Sequence, residues 1–205
     1  MKKILLFLSV CCLLLLAGCK PSVKPQLGFI YNMDGTFSAV VDSTRQPQGV
    51  VFAMNAGADS CWCYILSLQE FKLPLTDVRS TLAGDASPES LCGYENTREW
   101  IDLLEDKSPI VVKLQTMGNE WFVPSVGEWK LLRKTYDNVF SMLDTIPGAH
   151  QIGMNNYWSS TPEPDSNYPQ YGFAYDLYGD RYADFRKSDS CLVRFMARVR
   201  LEPEK

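Results

Sequence analysis

The sequence predicts an α+β fold in which two helices pack on small twisted antiparallel sheets. Three observations predict it. Short apolar runs separated by turn signals occupy both ends of the chain, helical periodicity is confined to the middle, and the last run alternates residue by residue as a strand does.

Taken in order, the chain opens with Lys2 and Lys3, an apolar stretch Ile4 to Leu16, and the run Leu16-Ala17-Gly18-Cys19. A charged start, a short apolar middle and small residues before a cysteine read as a lipoprotein signal over residues 1–18, cleaved before Cys19. The apolar stretch is shorter than the ~20 residues a membrane span needs. Cys19 then carries the lipid. Since a buried methylene contributes about 0.8 kcal/mol, several acyl chains together make a durable membrane anchor. Residues 19–26, with Pro21 and Pro25, read as an extended tether.

Residues 27–48 read as a β-hairpin turning at Asp34-Gly35, and residues 49–205 as the main domain. Within it, Gly49 to Met54 and Cys61 to Ser67 are strand runs. A first helix is expected to start at the cap Asn96, with Trp100, Ile101, Leu103 and Leu104 giving an apolar side. A second follows Ser125-Val-Gly-Glu128, which matches a capping box, and carries a core stripe of Trp129, Leu132, Tyr136, Phe140 and Leu143. Tyr157 to Ser160 reads as a strand, Pro162 to Pro169 as a loop, and Tyr171 to Tyr178 and Arg181 to Lys187 as a hairpin about a two-residue Gly179-Asp180 turn. In the closing strand Cys191, Val193, Phe195, Ala197, Val199 and Leu201 form a buried face, opposite Leu192, Arg194, Met196, Arg198 and Arg200.

Composition narrows the function. Once Lys2 and Lys3 leave with the signal, 18 of the 20 basic side chains stand against 24 acidic ones, a balance that excludes the usual nucleic-acid binder. Of seven cysteines, Cys11 and Cys12 leave and Cys19 is lipidated. Cys61, Cys63, Cys92 and Cys191 remain in an oxidising setting that permits disulfides, with three full pairings open. Their spacing lacks the paired knuckles of a zinc site.

Several phrases stand in a familiar order: Gly49 to Phe52, Gly93 to Thr97, Trp121-Phe-Val-Pro-Ser125 with Glu128 and Leu131, Tyr157-Trp-Ser-Ser-Thr161, and Val193-Arg194. In these the chain resembles the C-terminal domain family of the collagen-like adhesin Lcl. The resemblance implies a C-type-lectin-like fold, akin to that of the sulfatase-modifying factors, with Trp129 and Trp158 interior. It also implies an extracytoplasmic recognition module for glycans. The collagen-like repeats are absent, so trimeric adhesion is not implied.

Candidate sites follow. Glu163-Pro164-Asp165 is similar to the tripeptides with which C-type lectins hold calcium and sugar, and Glu163, Asp165, Asn167 and Asp184 offer oxygens of the kind calcium takes. The tripeptide is inexact and Asp184 lacks a preceding asparagine, so a solvated loop is the preferred reading and no cofactor is expected. Arg194, Arg198 and Arg200 have the chemistry to hold an acidic group, though pairing with Asp176, Asp180, Asp184 and Asp189 is preferred. Tyr168, Tyr178 and Tyr182 are expected to be exposed and able to stack on sugar rings. His150, the sole histidine, has no nucleophile beside it in sequence. The expected protein is a non-catalytic, lipid-anchored binding module of the cell envelope, placed by Lys20 at the outer membrane, for carbohydrate or another envelope polymer. The alternatives are an assembly lipoprotein docking a protein and a cysteine-dependent enzyme.

Overall fold

The computed structural model describes residues 23–54 and 62–201, so Cys19, the signal and Cys61 lie outside the described residues. No described helix is long and apolar enough to cross a membrane. The fold is mixed α+β, with four α-helices and one nine-stranded sheet among the described residues. The strands are β1 (Ile30–Asn32), β2 (Phe37–Ser38), β3 (Pro47–Met54), β4 (Trp62–Pro74), β5 (Trp121–Phe122), β6 (Asn156–Trp158), β7 (Tyr171–Asp176), β8 (Arg181–Arg186) and β9 (Ser190–Arg200). Their order is β2-β1-β3-β4-β9-β6-β7-β8, with β5 also on β9, and every pairing is antiparallel except β6 with β9. The Asp34-Gly35 hairpin forms as expected. It is not set apart from the rest, because β1 pairs with β3.

Helices cover both faces of the sheet, where the sequence suggests two helices on small sheets. Against one face lie α1 (Gly93–Leu104) and α2 (Pro109–Gln115), whose Trp100, Leu104, Ile110 and Leu114 meet Ile65, Val193, Phe195 and Trp158. Against the other lie α3 (Val126–Arg133) and α4 (Tyr136–Leu143), whose Trp129, Leu132, Val139 and Leu143 meet Phe52, Leu66, Met196 and Tyr175. Alternate residues of β4 and β9 therefore both find apolar partners, so the second side of β9 is buried down to Arg194. Trp129 and Trp158 are fully buried.

Three local expectations change. Asn96 is not a cap: α1 starts at Gly93, and the Asn96 amide instead bonds the Asp85 backbone and the Ser160 carbonyl. The second helix breaks after Arg133, where the amides of Lys134 and Thr135 reach back only three residues and the Thr135 hydroxyl donates to Phe52 O. The break shifts the buried side of α4 to Val139 and Leu143, leaving Phe140 40% exposed. The final hairpin closes with four residues, Leu177–Asp180, with Asp180 rather than Gly179 at positive φ.

Candidate functional site

The β7–β8 hairpin ends one side of the sheet, and among the described residues β8 has no strand on its outer edge. Register sets Tyr171 opposite Arg186, Phe173 opposite Asp184 and Tyr175 opposite Tyr182, so these six share one face. Tyr175 is its buried end, stacked on Trp129. From there outward the Tyr182 ring lies 4.9 Å from that of Phe173, and the Arg186 guanidinium 5.9 Å from the Tyr171 ring.

The loop before β7 meets this face. Tyr168 packs edge-on to Tyr171 at 6.3 Å. Burial, and then the hydrogen bond and like charge of Asp184, raise the Glu163 carboxyl above its usual range, so these two acids sit together at the rim. Asp165 and Asn167 serve the loop itself: Asp165 Oδ1 accepts from the Asn167 amide and side chain, and Glu163 accepts from the Asp165 amide. Among the described residues no group of three or more His, Cys, Asp or Glu is placed to hold a metal ion. Tyr168, Tyr178 and Tyr182 are 53%, 75% and 38% exposed, Tyr178 standing on the hairpin turn. The face thus gathers Glu163, Tyr168, Tyr182 and Asp184. It adds Tyr171, Phe173 and Arg186, which the alternating pattern of two strands across one hairpin made available to a sequence reading.

The three arginines of β9 do not form a binding row. Arg194 is wholly buried, where it fills a bulge in β4: its guanidinium donates to the carbonyls of Ser67, Leu68 and His150, with Glu70 at 3.7 Å. Burial lowers it to about 10. Arg198 pairs with Glu95 and lies over the rings of Trp62 and Tyr94 at 4.9 and 4.3 Å. Arg200 alone is exposed. The aspartates expected to neutralise this row act elsewhere, Asp180 on Arg133 and Asp176 on Arg181.

The thiols of Cys63, Cys92 and Cys191 are free, and burial pushes them up to about 12, 12 and 11. All three are therefore neutral thiols near pH 7, poorly suited to nucleophilic attack. A complete pairing of the four cysteines would need at least one bond between two of these three, and none is formed. His150 accepts the Glu70 amide at Nδ1 and lies beside the Arg194 guanidinium. No family model matches the chain, and no curated protein matches it.

Proposed function

We propose that the chain is a lipid-anchored cell-envelope binding module, held at the outer membrane through Cys19. Its recognition head is of the C-type-lectin-like kind found in the Lcl C-terminal domain family, and it takes carbohydrate or a similar envelope polymer. The carrying observation is the β7–β8 face, where the exposed rings of Tyr168 and Tyr182 stand beside the polar heads of Glu163, Asp184 and Arg186. Flat rings flanked by hydrogen-bonding groups suit a sugar, which presents apolar C–H patches and hydroxyls together.

Protein docking is the second reading, favoured by the unpaired outer edge of β8, to which a partner strand can add. A glycan array probed with the mature, lipid-free chain, in calcium and in chelator, separates the two. The expected outcome is a glycan signal that Tyr168→Ala and Tyr182→Ala each weaken by about tenfold, roughly 1.4 kcal/mol, with the thermal midpoint unchanged. Silence in both conditions overturns the glycan reading in favour of docking.

A further inference from the structure

The chain joins the fold at one end of the sheet, beside the short strand β2. Pro25 is already half-buried, Gln26 O accepts from the Phe29 amide, and the Gly28 amide donates to Val51 O at 2.8 Å, so the entry is fixed to β3 from Gln26 onward. Gly28, at positive φ, brings that entry against α4, where an added Cβ would lie 3.8 Å from Asn138 O. Leu27 and Phe29 of the entry, Ala39 after β2 and Met142 of α4 line one groove there.

Apolar side chains at this corner are left in water. Leu27 is 44% exposed, Val40 is 70% exposed, and Val23 and Val41 are exposed with them. Val40 and Val41 directly follow Ala39 of the groove, and at about 3.8 Å per residue both stand within roughly 8 Å of it by chain geometry alone. One exposed aliphatic is ordinary, whereas several gathered at one corner mark a contact surface. Among the described residues Asp137 is the one charged side chain lining the groove, so the groove offers anionic headgroups nothing basic. Asp42, next along from Val41, is paired with Arg45 at 3.3 Å. What covers the corner follows from chain length, on the reading that Cys19 carries the lipid. Only six residue steps separate Cys19 from Pro25, about 20 Å when fully extended. A tether this short holds the corner at a millimolar-range effective concentration against the bilayer, where contacts too weak to retain a free protein are occupied.

We propose that this corner is a membrane-contact surface, on which Leu27, Val40 and Val41 rest in the headgroup layer beside the point where the lipid of Cys19 inserts. The contact is apolar, so it forms on a zwitterionic bilayer and does not need anionic lipid. It also orients the body. β2 and β8 are opposite ends of the sheet, so seating the β2 end on the lipid turns the β7–β8 face outward, away from the membrane.

The mature chain, coupled through residue 19 to a phospholipid in phosphatidylcholine vesicles, tests the surface whether or not the native chain is acylated. Val40→Trp, Leu27→Trp and, as a control in the loop before β7, Asp165→Trp each add one exposed emitter to a chain whose Trp100, Trp121, Trp129 and Trp158 are fully buried. Lipid brominated along its acyl chains should quench the emission added at residues 40 and 27 and leave that at residue 165 unchanged. Adding Val40→Asp and Val41→Asp to the Leu27→Trp chain, both at exposed positions, should abolish its quenching with the thermal midpoint unchanged. Absence of quenching at residue 40, or equal quenching at 40 and 165, overturns the proposal. So does a lipid-free chain that sediments as a dimer and returns to monomer with the two aspartates, which would make a second copy the occupant. An unacylated mass for the native protein alongside intact quenching would overturn the anchor reading and support the surface.

Discussion

Glu128 serves two helix starts at once. Its carboxylate accepts from the Ser125 amide and hydroxyl, closing the capping box of α3, and from the Gly93 amide at the first turn of α1. Gly93 has to be glycine for this approach, because a Cβ there would lie 2.4 Å from Glu128 Oε2 and 2.8 Å from the Ser125 nitrogen. Full burial raises the carboxyl from 4.5 to about 7, the hydrogen bonds holding it from rising further. Between those values the folded chain holds a proton that the unfolded chain has released. The stability this group contributes is therefore complete below about pH 4.5 and is lost as pH rises through 7. The full loss is on the order of 3 kcal/mol. Urea unfolding of wild type and Glu128→Gln across that range checks it: wild type should decline relative to the variant with rising pH, and parallel curves would refute the assignment. The capping box was legible in Ser125 and Glu128. The bond to Gly93 was not, because nothing local marks a partner 35 positions away.

At the level of elements, the bulge in β4 and the arginine filling it form one unit. Register between β4 and β9 skips from Leu66 to Glu70, and the carbonyls turned out of the ladder at Ser67 and Leu68 are those Arg194 satisfies. Arg194→Leu keeps bulk but removes the guanidinium donors to the Ser67 and His150 carbonyls, leaves Leu68 O with the His150 amide alone, and leaves Glu70 without its cation. It should cost about 3–5 kcal/mol by urea unfolding, whereas Arg200→Leu, at an exposed position, should change stability by under about 0.5 kcal/mol. Alternation in β9 correctly located the strand and its apolar side. It misjudged the other side because a second helical layer, α3 and α4, covers it. The α2 helix was missed although Ser108 and Pro109 signalled its start: the Ser108 hydroxyl accepts from the Val111 amide, and the proline takes the first helical position. The break between α3 and α4 left little local trace, since Thr135 ends α3 through a bond to a carbonyl of β3.

Across the whole molecule, the three described thiols are held apart and mostly under apolar cover, Cys63 and Cys191 within the first helix-covered face and Cys92 at the head of α1. A thiol-specific reagent should find Cys63 and Cys191 slow in the native chain. At least three thiols per chain should titrate after denaturation without reductant, and fewer would show a disulfide among Cys63, Cys92 and Cys191 that the described residues do not form. Cysteine spacing left this open because pairing depends on the distances between elements, which only the assembled sheet sets.

The sheet ends in two open rims of unequal length, β2 with two residues and β8 with six. If β8 met the same strand of another copy antiparallel, with residue 182 across from residue 186, Asp184 would face its own counterpart at the centre of the ladder, a like-charge clash set by symmetry. In that register the longer rim carries its own guard against copy-to-copy strand pairing. A foreign strand bearing a base across from Asp184 would meet no such barrier.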